Sequence, residues 1–187
     1  SSAKPPRGLE AFHGWYLGEA QAWSGDKPTA VKTLTKARKT APPWLAVKID
    51  RRIAELSLEL GQPARAKALL EKDPGVAGSP ELLLTRALTR EALKLTALAR
   101  ADWKTLALQF PTHPHGVLAK KTLEDASAWS PTFDEQFSRG QALLKAGDPK
   151  GCLAALDALT IPKGKEAQCA LLRGQALLTR GKERDAE

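Results

Sequence analysis

Two stretches of this chain, RGQALLKAG from Arg139 and RGQALLTRG from Arg173, share six consecutive residues at an offset of 34. A recurrence at that period constrains the fold more than any single motif, because periods of 20 to 50 residues mark stacked supersecondary units. The glycines that close these stretches, Gly147 and Gly181, have counterparts upstream in QAWSGD at Gly25 and LSLELGQ at Gly61. A small residue lies seven before each: Gly18, Ala54, Gly140 and Gly174. Another lies five after: Ala30, Ala66, Cys152 and Ala186.

This spacing predicts a helical hairpin. Glycine takes the left-handed conformation that ends a helix, and small residues let two antiparallel helices approach closely. Leu34, Leu70 and Leu156 lie four residues after the second small position, on the same helical face. Composition agrees: 42% of residues are hydrophobic but only 5% aromatic, and Ala and Leu dominate. Strand-length β-branched runs are absent from the sequence.

The pattern resembles the tetratricopeptide repeat, a 34-residue helix-turn-helix unit, with Pro42 matching the proline at the end of a repeat. It departs from that family where aromatic positions carry Leu or Ala, and where the middle of the chain lacks the turn glycine. The resemblance implies an all-α fold, a right-handed α-α superhelix of about ten helices. Residues 1–8 are expected to form a flexible lead-in, and residues 9–187 one solenoid with subunits at about 8–42, 43–74, 79–111, 114–129, 132–161 and 164–187. Asp26, Lys27 and Pro28 open the second helix of the first hairpin, and the clearest break is DPGVAGSP from Asp73 to Pro80. A helix restarts at Ser79-Pro80-Glu81 and continues through LLLTRALTREALKL; the next two cover roughly 98–110 and Pro114 to Ala128. The last unit is expected to stop in mid-helix at Glu187, with the parent protein continuing. The absence of Met and the start SSAKPPRG suggest a processed or excised chain.

A second resemblance lies in LALQFPTHPHGVLAKKTL, Leu106 to Leu123, and in the repeats after it. The form Phe-Pro-x-His-Pro with an alanine-bearing helix after it is similar to the superhelical, non-catalytic region of soluble lytic murein transglycosylases. That implies a periplasmic or cell-envelope scaffold, and a parent enzyme that cleaves peptidoglycan with one glutamate in a lysozyme-like domain. The Gly-Leu-Met-Gln motif of that domain is missing here, so no catalytic residue carries over. The alternative is a protein-binding repeat adaptor of the cell envelope with no enzymatic domain. The partner is accordingly expected to be peptidoglycan or another protein.

Other chemistry finds little support. His113 and His115 flank Pro114, but the third histidine, His13, is remote in sequence, so they read as turn residues and no metal is expected. Glu124/Asp125 and Asp134/Glu135 sit in polar terminal turns rather than across a cleft. The sequence carries no Gly-x-Ser-x-Gly elbow or phosphate-cradling loop, and no cofactor is expected. The charge of +8, from 29 Lys+Arg against 21 Asp+Glu, is spread over helical faces without a basic run, so nucleic acid is not an expected partner. No apolar run is long enough to span a bilayer. Cys152 and Cys169 read as small buried helix residues, or as a disulfide in an oxidising compartment.

A repeat scaffold works through its surface. The first helix of each unit is expected to line a concave face, bearing Phe12, Trp15, Glu19 and Trp23 in the first unit, with Arg51 and Glu55 in corresponding places in the second. Phe137, Gln141 and Lys145 correspond in the unit that begins near residue 132. The aromatic rings either stack on a ligand or bury against neighbouring helices, and burial is the weightier reading because Trp carries so much apolar area.

Overall fold

The computed structural model describes residues 8–184, with side chains up to residue 181. The expected lead-in, apart from Gly8, and the expected stop at Glu187 lie outside the described residues. Among the described residues the chain is all-α, without a strand. Its helices are α1 (Glu10–Trp23), α2 (Lys27–Arg38), α3 (Pro43–Glu59), α4 (Pro63–Leu70), α5 (Pro80–Ala92), α6 (Thr96–Gln109), α7 (Pro114–Asp125), α8 (Phe133–Lys145), α9 (Pro149–Asp157) and α10 (Glu166–Arg184), with a 3-10 turn at Val76–Gly78. The chain divides into two compact units, residues 1–99 and 100–187, and the division falls within α6.

Helix starts obey local chemistry. Asp26 accepts from the Thr29 N–H, Ser79 from Leu82 and Asp148 from Gly151, each ahead of a proline in the first turn. Thr132 and Glu135 form a reciprocal capping box at the start of α8.

Helix ends repeat one device. Gly61 and Gly147 have φ of +69° and +79°. The Gly61 N–H donates to Leu58 and the Gln62 N–H to the Ser57 carbonyl; Gly147 and Asp148 do the same to Leu144 and Leu143. This is the Schellman closure, which satisfies carbonyls that the helix leaves without partners. Gly25, at φ +88°, makes the first of the two bonds, donating to Ala22.

The middle of the chain closes its helices identically without glycine. Lys94 (φ +57°) and Ser127 (φ +51°) occupy the left-handed position. Their N–H groups donate to Glu91 and Glu124, and those of Leu95 and Ala128 to Arg90 and Leu123. The expected helix through LLLTRALTREALKL therefore stops at Ala92, and the next begins at Thr96. Counting from Lys94, the position seven before is Ala87 and the position five after is Ala99, both buried. The small-residue spacing therefore recurs around Lys94 as well.

Gly181 departs from expectation. It lies inside α10, which continues to Arg184, and it is not a turn. The three turn glycines precede Asp-Lys-Pro, Gln-Pro or Asp-Pro, whereas Gly181 precedes Lys-Glu-Arg, which are good helix formers. Ala186, the small residue expected five positions after it, lies outside the described residues.

Within the first unit, α1 and α2 meet at glycine. A Cβ on Gly18 would lie 2.6 Å from Leu34 Cγ, and one on Gly14 would lie 2.6 Å from Ala37 Cβ. Leu34 and Ala37 join Ala11, Val31, Leu45, Ile49 and Leu56 in the core, with Trp15 and Phe12 packed at its edge. Within the second unit, Leu143, Cys152, Leu156, Cys169, Leu172 and Ala176 form a core from α8, α9 and α10. Both cysteines are buried and unbridged; burial, reinforced by the Asp148 carboxylate, pushes the Cys152 thiol up from its ordinary range.

Two glycines in equivalent places should respond to substitution with opposite signs. Gly18→Ala forces a methyl group into Leu34 and should destabilise by about 1–3 kcal/mol in chemical denaturation. A Cβ on Gly140 would meet Leu172 Cδ2 at 3.5 Å and Cys152 Sγ at 3.9 Å, ordinary contacts. Gly140→Ala should therefore stabilise by about 0.5–1 kcal/mol through helix propensity. Lys94→Gly should raise stability by about 1 kcal/mol, because the left-handed conformation costs a residue with a Cβ that much.

Candidate functional site

Of the nine residues expected on a concave face, four come together. Trp15 and Glu19 from α1 and Arg51 and Glu55 from α3 line one open groove of about 330 Å3, joined by Lys48 and Arg52. The groove exists because α1 and α3 are successive first helices. Their lining positions recur every three or four residues along one face of each.

The groove is organised by guanidinium groups. Arg52 Nε donates to Glu19 at 3.1 Å and its Nη1 to Glu55 at 2.8 Å, so one side chain bridges the two helices and holds both carboxylates. Burial works against the Arg52 charge, but the Glu55 and Glu19 carboxylates outweigh it and raise the arginine above its usual value. Arg51 forks onto Asp73, with Nε to Oδ2 at 2.6 Å and Nη2 to Oδ1 at 3.2 Å. Asp73 Oδ1 also accepts from the Gly75 N–H at 2.8 Å. Gly75 leaves room for this fork, since a Cβ there would meet the Arg51 guanidinium and push it aside. Hydrogen bonds from Arg51, and then from Gly75, hold the Asp73 carboxyl below the usual range although burial opposes them.

Lys48 differs from the two arginines. Its ammonium lies 5.5 Å from the centre of the Trp44 ring, and it pairs with no carboxylate among the described residues. Trp44 in turn meets Phe12 with ring centroids 5.8 Å apart, so the aromatic edge of the groove is continuous with the core.

The remaining expected residues fall elsewhere. Phe12 is half-buried at the core edge, and Trp23 at the end of α1 is 86% exposed. Burial, the weightier reading for the aromatic rings, therefore describes Phe12 and half of Trp15 but not Trp23. Phe137 belongs to the second unit, stacked on Phe133 at 6.0 Å and packed against that unit's core, while Gln141 and Lys145 are exposed there.

Lys48 and Arg52 are the lining residues that sequence reasoning missed. The signal was present: the first two turn glycines are 36 apart, Gly25 to Gly61, which sets Lys48 against Phe12 and Arg52 against Tyr16. No residue pattern marks Asp73, which reaches Arg51 from the segment after α4.

Chemically, the groove offers an ammonium over an aromatic ring, a half-buried indole, and carboxylates already held by arginine. Both lining glutamates, Glu19 and Glu55, accept hydrogen bonds from the one Arg52 guanidinium. Asp73→Asn should lower the melting temperature near neutral pH. Because the folded state holds this carboxyl below its unfolded value, its contribution is present above the unfolded pKa and is lost as pH falls through the folded one. Melting curves of the two proteins should therefore converge in acid.

Comparison of the chain with protein-family models, with curated proteins and with solved structures gives no match.

Proposed function

We propose that this chain is a non-catalytic helical-repeat scaffold that holds an extended anionic ligand along the groove between α1 and α3. The supporting observation is the pairing pattern in that groove. Arg51 is engaged by Asp73 and Arg52 by Glu19 and Glu55, which leaves Lys48 beside Trp44 and Trp15 to receive a ligand carboxylate. An indole face suits a sugar ring and an ammonium suits a carboxylate, and a glycan strand bearing peptide stems presents both.

With the resemblance of Leu106–Leu123 and the repeats after it to lytic transglycosylases, the ligand we infer is the peptidoglycan strand. The scaffold would form a right-handed superhelix in the periplasm and position that strand for a catalytic domain beyond residue 187. No helix among the described residues is long and apolar enough to cross a membrane. One observation favours a second reading, a protein adaptor of the cell envelope: Tyr16 and Trp23 on α1 are largely exposed, and such side chains anchor protein interfaces.

Co-sedimentation with purified peptidoglycan across a salt series tests the first reading. The expected result is saturable retention at low salt that weakens as salt rises. Lys48→Glu should raise the half-saturation concentration about tenfold, equivalent to about 1.4 kcal/mol, and Trp15→Ala should weaken binding further. Absence of retention at low salt, or retention indifferent to both variants, would reject it.

A further inference from the structure

The two copies of RGQALL permit a comparison that the groove does not. In α8, the face bearing Gly140 and Leu143 is covered: Leu143 is 3% exposed, and the space over Gly140 is closed by Cys152 of α9 and Leu172 of α10. At the offset of 34, the same positions in α10 are Gly174 and Leu177, flanked by Leu171 and Leu178 where α8 has Phe137 and Leu144. There Leu171 is 65%, Leu177 52% and Leu178 71% exposed, and nothing lies within 4 Å of a Cβ placed on Gly174. The inner face of α10, with Cys169, Leu172 and Ala176, is already buried in the core of the second unit. The bare stripe is therefore a second face of a helix that is packed on its first.

What covers this stripe can be read from the faces that are covered. The helices paired with the equivalent notches, α2, α4 and α9, carry a small residue and, four positions later, a leucine: Ala30/Leu34, Ala66/Leu70 and Cys152/Leu156, all buried. In the first hairpin it is this leucine, Leu34, that packs into the glycine notch of the opposing helix. The apolar stripe at positions 171, 174 and 178 has the three- and four-residue spacing that receives such a helix. It places three exposed leucines along a single face.

We infer that the Leu171/Gly174/Leu177/Leu178 face of α10 is a docking site for an amphipathic partner helix carrying a small-x-x-x-Leu stripe. The glycine admits the small residue or the leucine at close approach, and the three leucines flank it. This site is independent of the α1/α3 groove and of any ligand there.

A peptide copying residues 147–160, with Cys152→Ala, serves as the probe. It is cross-linked between positions 150 and 154, which are exposed in α9, because a helix this short is marginal by itself. Amide shifts of the labelled protein are monitored during titration. The expected result is saturable perturbation centred on α10, at least tenfold weaker for Leu178→Lys and for a peptide carrying Leu156→Lys. Leu178 is already exposed, so a melting curve should show Leu178→Lys folded as before; Leu171→Lys provides a second variant. The inference is overturned by the absence of saturable shifts, by shifts confined to α8, or by equal binding to Leu178→Lys. It is also overturned if sedimentation shows self-association through α10 that Leu178→Lys abolishes, since the face would then belong to a second copy.

Discussion

The geometry of the hairpins depends on the close approach of two antiparallel helices at a residue with little or no side chain. Gly18 beneath Leu34 is one case: a single added methyl would overlap the leucine branch carbon. Contact at that distance fixes where along α1 the second helix crosses, and the linker between them must then be short. A short linker leaves the last carbonyls of the first helix without partners, and the left-handed residue brings two N–H groups back to satisfy them. Notch and turn are therefore coupled. The seven-residue spacing between them, Gly18 to Gly25, Ala54 to Gly61 and Gly140 to Gly147, is two helical turns.

That coupling explains which parts of the fold were legible in the sequence. Where the left-handed residue is glycine and a proline comes within a few positions after it, turn and register can both be read, as at Gly25, Gly61 and Gly147. Lys94 and Ser127 adopt the same conformation with a side chain present, and no residue type announces it. The backbone hydrogen bonds of the closure compensate part of the cost. Gly181 shows the converse. Glycine inside a helix costs only about 1 kcal/mol, so it ends one reliably only when the next residues cannot continue the helix. Lys182, Glu183 and Arg184 can continue it, and α10 runs through them.

The groove was half legible for a related reason. Trp15, Glu19, Arg51 and Glu55 are set by the repeat register, because equivalent positions on successive first helices face the same way. Register does not determine which charge meets which. Arg52 joins α1 to α3 only because the rotation of the two helices brings Glu19 within 3.1 Å of its Nε. Asp73 meets Arg51 from a segment that belongs to neither helix, and the glycine that makes room, Gly75, sits in a stretch that reads simply as a break. Long-range ion pairs depend on tertiary packing that one-dimensional periodicity does not encode.

A net charge of +8 suggests a diffuse attraction to anions, but the pairing in the groove narrows that reading. Arg51 and Arg52, the better bidentate partners for carboxylates, are occupied within the chain, and removing either from its partner would leave buried or half-buried charge uncompensated. Their contribution is to hold α1, α3 and the segment after α4 in register. Among the described residues, the lining cation without a carboxylate partner is Lys48, whose ammonium rests over an indole that meets Phe12 at the edge of the core. Such a cation is positioned by its aromatic neighbour rather than by an acid, so an incoming carboxylate has no internal ion pair to displace there. The arginines give the groove its shape, and the lysine gives it a charge open to a ligand.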